Sequence, residues 1–154
     1  MRIVRGDLID LALNGVFDVI VHGCNCQCTM GAGIAKSIRT KFPEAYEVDL
    51  QTKKGDRNKL GSISSAKVTR NNHELTIINA YTQFHWRGSG VLADYEAIRK
   101  AMQQIKLHYS GNRIGYPMIG AGLAGGDWDT IAQIISEELE GEDHTLVEYV
   151  PSGV

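Results

Sequence analysis

His22-Gly-Cys-Asn-Cys-Gln-Cys-Thr-Met-Gly-Ala-Gly-Ile-Ala-Lys36 is the stretch on which the fold of this chain turns. An apolar, strand-like run, Phe17 to Val21, feeds into it, and a helix-like run, Ile34 to Lys41, leaves it. Between them stand small and polar residues ending in Gly31-Ala32-Gly33. A strand, a glycine turn and a helix in succession aim backbone N–H groups and a helix N-terminus at an anion. Gly120-Ala-Gly-Leu-Ala-Gly-Gly-Asp-Trp128 repeats the arrangement, between strand-like Ile114–Ile119 and helix-like Trp128–Leu139. Two such turns in one small domain point to one ligand with more than one phosphate, held from both sides.

The chain of 154 residues is read as a single domain, 1–154, long enough to bury a proper core. Hydrophobic residues make up 43% and charged residues 22%, ordinary for a globular chain. The net charge of −2 argues against a broad nucleic-acid footprint, but not against a phosphate held by backbone amides. No apolar run approaches the roughly 20 residues of a membrane span, so no membrane partner is expected. Met1-Arg-Ile-Val-Arg-Gly-Asp7 lacks a signal-peptide pattern. The three cysteines, an odd number packed between Cys24 and Cys28, do not make a disulfide framework. A reducing cytoplasm and a monomer are the expectations.

Outward from the two turns, strands are read at Arg2–Arg5, Phe17–Val21 and Thr145–Val150, and helices at Leu8–Leu13, Ile34–Lys41, Pro43 to about Lys54, and Val91–Tyr109. Ser62–Thr69 and Glu74–Ala80 read as a hairpin joined by Asn71-Asn72. Lys53–Lys59 reads as a solvated loop, and Tyr81–Gly90, rich in aromatic and polar groups, as a candidate ligand wall. Strands alternating with helices predict an α/β fold of three layers, α-β-α, around a mixed, mostly parallel sheet. Ligands in such sheets sit outside the carboxyl ends of the strands. His22, Asn25, Tyr81 and the Gly120 turn all follow strands and can meet on that rim.

His22 can serve a phosphate as base, acid or nucleophile, or be a core histidine satisfied by a carbonyl. Asn25 can contact a ribose hydroxyl or an attacking water, or hold a turn. Asp127 can be a general acid for the leaving oxygen, an orienter of His22, or the N-cap of the helix that follows. Cys24, Cys26 and Cys28 alternate with His22, but zinc-binding cysteines are usually spaced by two to four residues; small buried side chains under the loop are the reading, with no metal. Tyr81, Trp86 and Tyr149 can stack on adenine or ribose, whereas Trp128 reads as a core anchor.

In order, Gly6-Asp7, Asp18-Val-Ile-Val-His-Gly-Cys-Asn25, Met30-Gly-Ala-Gly-Ile34 and Pro117-Met-Ile-Gly-Ala-Gly-Leu123 resemble the signatures of the macro domain, an ADP-ribose-binding module. The likeness is to the branch with phosphatases of ADP-ribose 1″-phosphate. It implies that Asp7, beside Leu8, accepts a hydrogen bond from the adenine amino group and that Tyr149 packs by the adenine. It implies that Asn25 contacts the distal ribose. One diphosphate loop would be Gly31, Ala32, Gly33 and Ile34; the other would be Gly120, Ala121, Gly122 and Leu123, preceded by Met118. The chain departs from the pattern at His22, where many members have Asn. De-ADP-ribosylating cousins carry a lysine where this chain has Tyr81-Thr82-Gln83, and an aspartate where it has Ala124.

The expected activity is therefore metal- and cofactor-independent hydrolysis of ADP-ribose 1″-phosphate to ADP-ribose and phosphate, with His22, Asn25 and Asp127 as the catalytic set. The alternatives are a non-catalytic reader of ADP-ribose and a hydrolase removing ADP-ribose from protein or nucleic acid. A dinucleotide oxidoreductase is disfavoured, because the first turn lacks a GxGxxG run with an acidic residue beyond it.

Overall fold

A computed structural model describes residues 1–151 of the chain; the last residues of the expected domain, 152–154, lie outside the described residues. Six strands, β1 (Arg2–Gly6), β2 (Val19–Asn25), β3 (Ile63–Arg70), β4 (His73–Gln83), β5 (Arg113–Tyr116) and β6 (Asp143–Tyr149), form one sheet in the order β1-β6-β5-β2-β4-β3. All neighbours are parallel except β3 and β4, the hairpin. The helices are α1 (Leu8–Leu13), α2 (Gly33–Lys41), α3 (Pro43–Leu50), α4 (Tyr95–Tyr109) and α5 (Trp128–Glu138).

Side-chain parity divides the core in two. Val19 and Val21 of β2 and Ile78 and Ala80 of β4 pack with Ile98, Met102, Ile105 and Ile135 of α4 and α5. Ile20, Ile77 and Tyr81, one residue out of step, pack on the opposite face with Leu8, Ile38 and Ala45 of α1, α2 and α3. The sheet is thus covered on both faces, as the three-layer expectation requires.

β2 leads to α2 on one face, while β5, its neighbour, leads to α5 on the other. Chains that leave adjacent strand ends in opposite directions open a crevice between them. The crevice is widened because β2 and β5 pair only at Val19↔Ile114 and Ile20↔Gly115.

Several elements differ in extent from the sequence reading. β2 continues to Asn25 and β4 to Gln83, since both are held on their β2–β4 edge well past the apolar run. β5 stops at Tyr116, ahead of Pro117, which has no N–H for a ladder. α4 starts at Tyr95 rather than Val91, because the Asp94 side chain accepts from the Ala97 N–H at 3.0 Å and caps it there. α3 ends at Leu50, short of Lys54. Lys59 is buried rather than solvated; its ammonium donates to the Cys26 carbonyl at 3.2 Å.

Asn71 and Asn72 both adopt left-handed backbone, φ 52° and 62°, the geometry of a two-residue hairpin turn that follows the sheet twist. Asn72→Val is expected to cost about 1–2 kcal/mol in urea unfolding, because a β-branched residue resists that conformation. Asn72→Gly is expected to stay within about 0.5 kcal/mol of the parent.

Candidate functional site

A cavity of about 700 Å³ occupies the crevice at the carboxyl ends of β2, β4 and β5. One wall is Gly23 to Asn25 and Thr29 to Ala35; the other is Pro117 to Gly120 and Gly122 to Ala124, with Asp49, Gln83 and Trp86 completing it. Both glycine turns therefore face one space, as their repetition predicts. Trp86, Met118 and Leu123 leave large apolar surfaces exposed at its mouth.

The first turn is built under strain. Cys28 and Met30, neither of them glycine, have φ of 57° and 42°, which costs on the order of 1 kcal/mol each. Neighbouring side chains and carbonyls hold Cys28 in place. The Cys28 thiol donates to the Asp49 carbonyl at 3.2 Å, and the Tyr46 hydroxyl donates to the Cys28 carbonyl at 3.3 Å. The turn delivers Ala32 as the N-cap of α2, and alanine supplies no capping side chain. α1, α4 and α5 are each capped by an aspartate, Asp7, Asp94 and Asp127. α2 thus presents its free N–H groups and the positive end of its dipole to the cavity, a ready anion site. In the opposite turn, Gly120 has φ +73°, a conformation that suits glycine. The Ala124 carbonyl accepts the N–H groups of Leu92 and Ala93, which fixes that turn from behind.

Among the expected ligand contacts, Gly31, Ala32, Gly33, Ile34, Met118, Gly120, Gly122 and Leu123 line the cavity, and so does Asn25. Ala121 does not; it packs back against the α4–α5 core. Asn25 is engaged locally: its Oδ1 accepts the Gln27 N–H at 2.8 Å and its Nδ2 donates to Thr29 Oγ1 at 2.9 Å. Each atom retains one further hydrogen-bonding position. Asp7 caps α1 through the Ile9 and Asp10 N–H groups, and Leu8 is buried in the core. Tyr149 is exposed and pairs with Gly6, which places it beside Asp7. These three stand at the β1–β6 end of the rim, outside the cavity wall.

The structure does not bring the expected catalytic pair of His22 and Asp127 to the cavity. Because β2 runs on to Asn25, His22 is a mid-strand residue whose parity points it under α3; it is fully buried. Its Nε2 is 2.6 Å from Asn79 Oδ1 on the neighbouring strand, and Asn79 in turn donates to the Ala45 carbonyl at 2.9 Å. Burial pushes the His22 pKa down to about 4, against the opposing effect of Asn79, so the ring is neutral near pH 7. Asp127 is a helix cap: its Oδ2 accepts the Thr130 N–H and hydroxyl at 3.1 and 2.6 Å. The hydroxyl and backbone bonds of Thr130 hold its carboxyl below the usual range, the reverse of what a proton donor needs. Tyr81 is also removed from the ligand wall. β4 carries it inward, where its hydroxyl donates to Asp49 Oδ1 at 2.6 Å.

Gln83 and Trp86, in the stretch read as a candidate ligand wall, do line the cavity, whereas Asp49 and Thr29 are wall residues that the sequence reading passed over. Asp49 falls in the last turn of its helix, where a carboxylate opposes the dipole, only because α3 ends at Leu50 and not near Lys54. Among the described residues, no group of three or more His, Cys, Asp or Glu side chains is placed to hold a metal ion. No described helix is long and apolar enough to cross a membrane.

Because unfolded chains bind a proton at His22 that the native state refuses, its contribution to stability is full above about pH 6.5 and is lost as pH falls toward 4. Between about pH 7.5 and about pH 5 the expected loss from this group is about 2 kcal/mol. Urea unfolding of the parent and of His22→Gln at both pH values measures it, and the variant is expected to show the smaller decline.

The macro domain family model matches residues 21–135. An uncharacterised 17.5 kDa protein from the tk-vs intergenic region of Enterobacteria phage T4 is 34% identical, over 98% of this chain and 97% of the phage protein. A DNA ADP-ribosyl glycohydrolase of Mycobacterium tuberculosis is 28% identical over 88% of this chain, which spans 39% of that relative's length. The solved macrodomain of Mycobacterium tuberculosis DarG superposes with a TM-score of 0.73 at 24% identity, covering 98% of this chain and 97% of that one. With its strand order, its paired glycine turns and the family match over most of its length, this chain belongs to the macro domain family.

Proposed function

We propose that the cavity binds ADP-ribose and that the chain is a hydrolase acting at the 1″ position of the distal ribose. The observation that carries this reading is the pair of glycine turns facing each other across one cavity, with the N-terminus of α2 left uncapped between them. The diphosphate would lie there, on N–H groups and a helix dipole. Asp7 and Tyr149, side by side at the β1–β6 end, would receive the adenine. The distal ribose would then extend toward Asn25 and the end of β4. A volume of about 700 Å³ is ample for a ligand of this class.

The finer reading is that the substrate is ADP-ribose 1″-phosphate, released as ADP-ribose and phosphate. His22 is too deeply buried to activate water, so the mechanism expected from sequence needs another proton acceptor. A 1″-phosphate brings one in its own ionised oxygens, while the turn amides stabilise charge on the transferring phosphoryl group. A second reading, removal of ADP-ribose from protein or nucleic acid, is favoured by similarity to the mycobacterial DNA ADP-ribosyl glycohydrolase and by the open, apolar mouth at Trp86 and Leu123. By the family resemblance, Tyr81-Thr82-Gln83 and Ala124 stand where such enzymes have lysine and aspartate, which weighs against a lysine-adduct route.

Three substrates separate these readings: ADP-ribose 1″-phosphate, ADP-ribosylated protein and ADP-ribosylated DNA. Phosphate release from the first is the expected result. Free ADP-ribose from either of the others supports the second reading, and binding without any release leaves a reader. The ligand assignment has its own check in Ala32→Asp. A carboxylate at the α2 N-cap is expected to raise helix stability by about 1 kcal/mol yet weaken ADP-ribose binding at least about tenfold, because it occupies the N–H groups meant for phosphate. Unchanged affinity in a calorimetric titration would place the diphosphate elsewhere.

A further inference from the structure

One residue in the wall of the cavity has a carboxyl oxygen without a hydrogen-bond partner among the described residues. Asp49 is 1% exposed and contributes to the wall beside the Asn25 turn. Its Oδ1 accepts the Tyr81 hydroxyl at 2.6 Å, but its Oδ2, also buried, has no hydrogen-bond partner among the described residues. The nearby Lys59 ammonium is directed elsewhere, to the Cys26 carbonyl at 3.2 Å and the Cys28 sulfur at 3.5 Å. A buried carboxyl oxygen left unpaired is costly, and the end of a helix is an unfavourable place for it. Three neighbours fix its position all the same. Tyr81 shares a hydroxyl contact with Ser64 Oγ at 2.8 Å, and the Cys28 thiol and Thr52 hydroxyl both donate to the Asp49 carbonyl.

The topology places Asp49 at one end of the cavity. Tyr81 pairs with Cys24 across β4 and β2, so Asp49 stands at the β2–β4 side of the cavity. Asp7 and Tyr149 stand at the β1–β6 side. β1 and β4 are four strand spacings apart in the sheet order, roughly 19 Å. A nucleotide sugar stretched between them, with its diphosphate at the central turns, carries its second sugar to Asp49. A carboxylate oxygen only accepts, and it repels phosphate. Its suitable partner is a hydroxyl.

We propose that Asp49 is a ligand-contacting residue whose Oδ2 accepts a hydrogen bond from a hydroxyl of the distal ribose, with Tyr81 as the positioning residue. The proposal rests on the reading that the cavity holds ADP-ribose. It assigns a share in the selection of the second sugar to a side chain outside both glycine turns, alongside Asn25, whose amide atoms each retain one further position.

Calorimetric titration with ADP-ribose and with ADP, which lacks the second sugar, tests it. Asp49→Asn keeps an acceptor for Tyr81 and replaces Oδ2 by a donor. It is expected to weaken ADP-ribose roughly ten- to a hundredfold, as for loss of a hydrogen bond to a charged group, and to leave ADP within about twofold. Tyr81→Phe is expected to weaken ADP-ribose less and ADP not at all. Equal weakening of both ligands would make Asp49 structural, and unchanged ADP-ribose affinity would remove it from the site; either overturns the proposal. If circular dichroism shows that Asp49→Asn does not fold, the parent is titrated with ADP-ribose analogues that each lack one distal hydroxyl. One analogue must then bind at least about tenfold more weakly, and full affinity for all of them overturns the proposal. A parent that binds neither ADP-ribose nor ADP refutes the ligand reading itself, and Asp49's role falls with it.

Discussion

The site depends on holding a short turn in a conformation it would not adopt alone. Between β2 and α2 the chain passes through left-handed backbone at Cys28 and Met30. No glycine relieves either position. The opposing stabilisation is a buried polar layer under the turn: Lys59 on the Cys26 carbonyl, Cys28 on the Asp49 carbonyl and Tyr46 on the Cys28 carbonyl. This layer lies on the α3 face of the sheet, with Lys59 and Cys28 buried and Tyr46 partly buried. It explains why a lysine sits inside a domain of this size. What it secures is the direction of α2, whose uncapped N-terminus points at the cavity.

The second constraint is topological. β2 and β5 are adjacent, but their following helices lie on opposite faces of the sheet. The two glycine turns are the connections that diverge there, so they face each other without any long-range device to bring them together. The remaining helices facing the same rim take aspartate caps, Asp7, Asp94 and Asp127, which close off their own N–H groups. At this rim the helix that faces the cavity is set apart by one alanine in place of an aspartate; α3, also without a side-chain cap, begins with Pro43, which has no N–H to satisfy.

The fold was largely legible in the sequence because apolar periodicity reports burial. It placed every strand and helix, and Asn71-Asn72 marked the hairpin. Element ends were less legible. Polar residues such as His22, Asn25 and Gln83 extend strands through backbone pairing, which carries no hydrophobic signature. That error at the end of β2 had a chemical consequence. With the strand ended at Val21, His22 becomes a loop residue free to meet a ligand; with the strand continued, parity buries it against Asn79. The glycine turns were placed correctly between a strand and a helix because that pattern is local. Asp49 and Lys59 were missed because their roles come from residues distant in sequence, Tyr81 for one and Cys26 for the other. Asp127 shows the limit in the opposite direction: its cap role was visible, and the cap geometry leaves it ionised and away from the cavity.

The central claim is that both glycine turns grip one ligand at the same time. Backbone amide chemical shifts during an ADP-ribose titration test it most directly. The amides of Gly31 to Ile34 and those of Gly120 to Leu123 are expected to shift together, with one common dissociation constant, while the amides of Lys100 to His108 on α4 stay still. Shifts confined to one turn, or two turns that saturate at different concentrations, would contradict it.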